Sequence, residues 1–194
     1  LPHAPKLSIE GSYPLKHMSK KEVRTCAFRV IVWKNRIAVE FFHSLTDGTG
    51  GLIFLKTLVA EYLQQKHGIH IPAQFGVLNR LEEPSADEIE DSFLKHTGPV
   101  SASRKETDAW HYQGTEEPDG RLNLICFQLD VKDVLEKAHA YDTTLTGFLC
   151  AAVMQAILNL QAEKVPNIRR RKAVKVLVPV NLRKLFPSKS LRNF

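Results

Sequence analysis

The segment FFHSLTDGTG, residues 41–50, gathers the side chains best suited to chemistry into ten positions. His43 leaves a strand-like apolar run, Asp47 follows four residues later, and Gly48, Gly50 and Gly51 lead into a helical pattern. An imidazole with its ordinary pKa of about 6.5 is largely neutral near neutral pH and can accept a proton. Glycines allow the backbone to turn where side chains would clash. Two readings fit: a polar turn between two elements, or a general base on a strand end with its loop pinned by a buried carboxylate. The other seven histidines lack such a setting. His67 and His70 are a pair without a cysteine or carboxylate at ligand spacing, so they read as a helix end and no metal is expected.

Several elements must position this segment. Residues 23–33 (VRTCAFRVIVW) and 36–42 (RIAVEFF) are rich in β-branched and aromatic residues, with only Lys34 and Asn35 between them. They read as an antiparallel hairpin, with His43 at the exit of its second strand. Leu52, Leu55, Leu58, Val59, Tyr62 and Leu63 then recur at helical spacing up to Gly68. Residues 68–120 are loop-rich, with Ser85 and Glu88 forming the pattern of a capping box before one short acidic helix, ADEIEDSFLKH. Residues 121–130 read as a strand, and Asp130 and Thr144 as caps of two successive helices. Residues 173–180 form a nearly continuous apolar run expected as a buried strand. The mixture places the chain in the α/β or α+β class.

Composition bounds the partners. The 194 residues suffice for one domain with a sizeable core or for two small ones, and 43% apolar with 25% charged residues is a globular balance. A net charge of +6 favours anions without choosing among them. The basic run at 169–172 reads as a solvated loop before a strand, with an anion such as a phosphate as the other reading. No aromatic interleaving accompanies it, so no nucleic acid is expected. Cys26, Cys126 and Cys150 are odd in number and far apart, which argues against a disulfide framework and for a reducing cytoplasm. No stretch approaches 18 consecutive apolar residues, so no membrane span is expected. The start at Leu1 and the stop after SLRNF suggest an interior piece.

His43 to Gly48 reads H-x-x-x-D-G, with a long helix directly after it. This resembles the signature of the chloramphenicol acetyltransferase-like acyltransferase superfamily, which includes alcohol acetyltransferases and the condensation domains of nonribosomal peptide synthetases. Two further stretches resemble that group in the same order: DVLEKAHAYDTTLTGFLCAAVMQAIL, like its helix pair, and VLVPVNLRKLFPSKSLRNF, like its arginine-bearing strand and following turn. The resemblance covers residues 20–194. Phe42 stands where many members carry a first histidine, and no D-F-G-W-G-like stretch is present. Members are also roughly twice as long.

The resemblance implies an α/β two-layer sandwich with a mixed sheet and flanking helices. Residues 1–180 would be most of a first subdomain, lacking its N-terminal part, and 181–194 the start of a crossover to a second that is largely missing. His43 would be the general base that deprotonates an alcohol or amine acceptor for attack on the thioester of acyl-CoA, with no bound cofactor. Asp47 would point away from substrate and pair with Arg183, with Gly48 structural beside them. The basic run at 169–172 would meet the phosphates of CoA, if it is not simply a solvated loop. The expected partners are acyl-CoA, a small acceptor, and the remainder of the chain or a second copy through an exposed apolar face; the piece alone is expected to be inactive. A condensation domain using carrier-bound substrates and a non-catalytic scaffold of the same fold are the alternatives.

Overall fold

The computed structural model describes residues 8–9, 15, 17–98, 107–117 and 125–194. The described residues fall into two compact units: one gathers those up to 98 with 180–194, the other 107–117 with 125–179.

The first unit is built on a mixed three-stranded sheet. β1 (Ser8–Ile9) pairs in parallel with β2 (Phe28–Trp33), which pairs antiparallel with β3 (Arg36–Phe41). Trp33 faces Arg36 across a two-residue turn, as the hairpin pattern predicts. The positive φ, 49°, falls on Lys34, not on the asparagine. The first strand of the hairpin is shorter than expected, because residues 20–25 belong to α1 (Lys20–Thr25). There Ser19 and Glu22 form a reciprocal capping box, whose local hydrogen bonds outweigh the β-leaning Val23 and Thr25.

α2 (Gly48–His67) starts directly behind the H-x-x-x-D segment and ends at Gly68, whose φ of 66° suits a residue without a Cβ. Phe54 of α2 packs on both strands, its ring centroid 5.1 Å from Phe28 and 5.6 Å from Phe41. The expected acidic helix is two short ones, α3 (Ala86–Ile89) and α4 (Ser92–His96). Ser85 makes no side-chain cap, whereas Asp91 accepts from the Leu94 N–H and starts a new helix where the first would have continued. Residues 181–194, expected to begin a crossover, pack within this unit: Leu191 N–H donates to Glu88 C=O, and the Ser190 hydroxyl to Glu90 C=O.

In the second unit α5 (Val131–Ala140) is capped by Asp130 and α6 (Leu145–Lys164) by Thr144, as their sequence patterns predict. Gly147 allows their close junction, since a Cβ there would meet Thr143 Oγ1 at 2.5 Å. Gln161, 1% exposed, joins α6 to the following chain by donating to Lys172 C=O and accepting from Lys172 N–H.

Two expected strands are not strands over the residues that are described. Residues 125–130 are irregular, with 121–124 outside the described residues, and 173–180 make only one bridge, Ala109 to Ala173. The apolar run is not buried either: Leu177 is 88% exposed. β-rich composition favours extended backbone, but a strand also needs a neighbour to take its N–H and C=O groups. Among the described residues only Ala109 provides one. α6 is apolar around its circumference and long enough to cross a membrane by length and composition, although no run of 18 apolar residues is present.

The first unit depends on the Phe28–Phe41–Phe54 cluster for joining helix to sheet. Phe54→Ala is expected to lower its unfolding free energy by about 2–3 kcal/mol, below the cost of a fully buried ring because these rings are half-buried. Urea denaturation followed by circular dichroism measures it; a loss below about 0.5 kcal/mol would mean the cluster does not carry the junction.

Candidate functional site

The chain leaves β3 at Phe41 and bends at once. Phe42 N–H still donates to Ala27 C=O, Leu45 N–H closes a tight turn onto Phe42 C=O, and His43 lies inside that turn with an exposed side chain. Its carbonyl accepts from Asn193 Nδ2 at 2.7 Å. The backbone of His43 is thus fixed from three directions: its own strand, its own turn, and the segment 150 residues later.

Asp47 is the N-cap of α2. Its Oδ1 accepts from Gly50 N–H at 3.0 Å, and its Oδ2 accepts from Arg183 Nη1 at 2.6 Å and from Phe194 N–H at 3.1 Å. Both oxygens are occupied, and neither contacts the His43 ring, so the two residues are not a hydrogen-bonded dyad. The ion pair is well enclosed, with side-chain exposures of 12% for Arg183 and 20% for Asp47. Burial, the largest single effect, pushes the Asp47 carboxyl up. The hydrogen bond from Arg183, the N–H groups of Gly50 and Phe194, and the guanidinium charge together outweigh it and hold the carboxyl below its ordinary value.

Arg183 sits in a 3₁₀ turn, Leu182–Lys184, with Asn181 accepting from its N–H at the turn's start. Its guanidinium donates to Asp47, to Ser190 C=O at 2.9 Å, to Phe194 C=O at 3.3 Å and to Arg192 C=O. A planar fork with five N–H groups suits such a cluster of acceptors; a lysine ammonium does not. The expected strand before Arg183 is absent, so a turn presents the arginine.

Close packing around the loop, by 181–194 on Gly50 and by Phe41 on Gly51, explains two of the glycines. A Cβ on Gly50 would lie 2.1 Å from Leu191 C=O and 2.2 Å from Thr46 Oγ1, and one on Gly51 would lie 3.2 Å from the Phe41 ring. Thr46 Oγ1 itself donates to Leu191 C=O at 2.6 Å, and Asn181 Nδ2 donates to Thr49 Oγ1 at 3.1 Å. At Gly48 a Cβ would meet nothing within 4 Å.

A cavity of about 400 Å³ lies beside the loop, lined by Phe41, Ser44, Leu45, Thr46 and Ile89 among others. His43 is not part of its lining. Sequence reasoning missed Thr46, Ser190 and Asn193; the T-D-G and S-L-R-N-F patterns hold them, but no spacing rule links segments 145 residues apart. The basic run lies in the other unit, where Ile168–Arg170 form a 3₁₀ turn, Arg171 donates to Val165 C=O, and Lys172 pairs with Asp108 at 3.6 Å. Among the described residues no group of three or more His, Cys, Asp or Glu is placed to hold a metal ion.

Two substitutions test the clasp. Gly50→Ala is expected to destabilise the protein by about 3 kcal/mol, since backbone and a buried hydroxyl block the new methyl, while Gly48→Ala should be neutral or slightly stabilising. Thermal melts of the two variants separate these outcomes. Asp47→Asn should cost about 2 kcal/mol or more near neutral pH. Because the folded-state carboxyl titrates below its ordinary value, this contribution is present above about pH 5 and fades as pH falls through the ordinary value toward the lowered one. The Tm gap between wild type and Asp47→Asn should therefore shrink on acidification below about pH 4; a gap independent of pH would contradict the pairing.

Compared with known proteins, the chain matches no family model, no curated protein and no solved structure.

Proposed function

We propose that this chain carries the general-base half of an acyltransferase of the chloramphenicol acetyltransferase-like type. His43 deprotonates an alcohol-type acceptor, whose oxygen attacks the thioester carbonyl of an acyl-CoA, acetyl among the candidates. The tetrahedral intermediate then expels the CoA thiolate, which takes up a proton, and the ester leaves. No covalent enzyme intermediate is needed.

The observation that carries this reading is the Asp47–Arg183 pair. It braces the histidine loop from behind and leaves the imidazole exposed for a substrate rather than engaged by the carboxylate. In a polar turn without function, no such long-range brace is required to hold a surface histidine in place. The brace also gives Asp47, Gly50 and Arg183 separate structural tasks, as the H-x-x-x-D-G resemblance implies for that aspartate and arginine. Positioned proton transfer supplies about 10²–10⁴-fold, and donors to the oxyanion would supply much of the remainder.

The test uses the gene product that carries this chain, with acetyl-CoA and a series of primary alcohols and amines, reading release of the CoA thiol. His43→Gln should lower kcat/KM by at least about 10²-fold while leaving the melting temperature unchanged, because the exposed ring contributes little to packing. Activity near wild type in that variant would overturn the assignment.

A further inference from the structure

The basic run at 169–172 has no aromatic residue beside it in the sequence, but the fold brings two to it. Within the second unit, residues 107–110 lie along 172–175. Ala109 bridges Ala173 in parallel, Trp110 N–H donates to Ala173 C=O at 2.9 Å, Lys175 Nζ donates to Thr107 C=O, and Lys172 Nζ lies 3.6 Å from Asp108. Gln161 holds the same basic segment to α6 through its two hydrogen bonds with Lys172. Beside this junction, between residues 110–113 and the end of α6, lies a cavity of about 360 Å³. That volume is at the lower end of those that enclose small organic molecules.

The lining is Trp110, His111, Tyr112, Gln113 and Lys164. Each of these side chains carries an N–H or O–H donor and none is a carboxylate, so the wall favours a ligand rich in acceptors. Lys164 adds a full positive charge. Among the described residues neither it nor Arg169 nor Arg170, in the turn that follows, makes a side-chain hydrogen bond or ion pair. Residues 163–175 hold six lysines and arginines against one carboxylate, Glu163, so the field here is positive and attracts an anion. The rings of Trp110 and Tyr112 meet edge to face, with centroids 6.0 Å apart and planes at 71°. In such a pair the ring that offers its edge keeps its own faces clear of its partner, and Tyr112 is exposed. An aromatic face next to an unpaired cation suits a planar base carried on a phosphate ester.

We propose that this cavity binds a nucleoside monophosphate, with the base on the Trp110–Tyr112 pair, the sugar hydroxyls beside His111 and Gln113, and the phosphate at Lys164. The site lies wholly in the second unit and shares no residue with the histidine loop or the Asp47–Arg183 pair, so it stands independently of the acyl-transfer reading. A small enclosed volume with one cation on its wall matches one nucleotide, where a single strand would need a groove with a row of such platforms.

Calorimetric titration of the 194-residue chain with adenosine 5′-monophosphate, adenosine and ribose 5-phosphate tests it. The second probe lacks the phosphate and the third lacks the base. The nucleotide should bind saturably and about tenfold more tightly than either, the worth of one charge-assisted hydrogen bond or of one base stacked on an aromatic ring. Lys164→Gln should remove its advantage over adenosine, and Tyr112→Ala its advantage over ribose 5-phosphate. Both side chains are exposed, so both variants should melt as the wild type does. The comparison of the three probes on the wild-type chain needs no variant and is decisive by itself. No saturable binding of the nucleotide, or affinity equal to that of either fragment, would overturn the proposal. A ten-residue single-stranded oligonucleotide that binds and is not displaced by the nucleotide would overturn it in favour of a strand-binding surface.

Discussion

The guanidinium of Arg183 is the point at which the first unit is tied together. It joins Asp47, at the start of α2, to the carbonyls of Ser190, Arg192 and Phe194, near the end of the chain. Apolar burial around it is thin: among the described residues only Ala60, Ala138 and Phe194 are buried hydrophobics, and Ala138 belongs to the other unit. An enclosed ion pair alone seldom stabilises a protein, because desolvation offsets the Coulomb attraction. Here the remaining guanidinium donors also find carbonyls, and the second carboxylate oxygen caps a helix, so few polar groups lose water without replacement.

The polar clasp extends beyond the arginine. Ser92 and Ser190 are 1% exposed; the first hydroxyl meets that of Ser188 at 2.7 Å, and the second donates to Glu90 C=O at 2.7 Å. His96 stacks on Phe186 at 4.7 Å and lies 5.6 Å from Phe194, giving the same segment an aromatic contact with α4. Residues 181–194 therefore touch α2, α3, α4 and the histidine loop. Gly50 is the spacing element of this packing, because anything larger would push Leu191 away and weaken Thr46 and Asp47 together.

The parts of this arrangement that were legible in the sequence are those encoded locally. The two-residue hairpin turn, the caps at Asp130 and Thr144 and the stop at Gly68 each depend on a few adjacent residues. Where local signals competed, the sequence misled: Ser19 with Glu22 captured residues expected to be strand, and Asp91 divided a helix expected to be continuous. Residues 173–180 have the composition of a buried strand, but pairing is a property of two segments and composition describes one. Arg183 was reachable only because its segment resembled a familiar pattern; nothing in its own neighbourhood points to Asp47, 136 positions earlier.

The way His43 is held has a chemical consequence. Its carbonyl, its strand and its turn fix where the Cα lies, whereas no hydrogen bond from the described residues orients the ring. A triad-type base is different, because a carboxylate sets its tautomer and direction before substrate arrives. In this loop Asp47 is fully engaged with Arg183, Gly50 and Phe194 and cannot take that part. In the reaction proposed for this loop, orientation of the imidazole would come from the acceptor hydroxyl itself or from groups that approach on binding. The rigid backbone limits that adjustment to the two side-chain torsions, so under that proposal a modest contact with the acceptor would be enough to aim the ring.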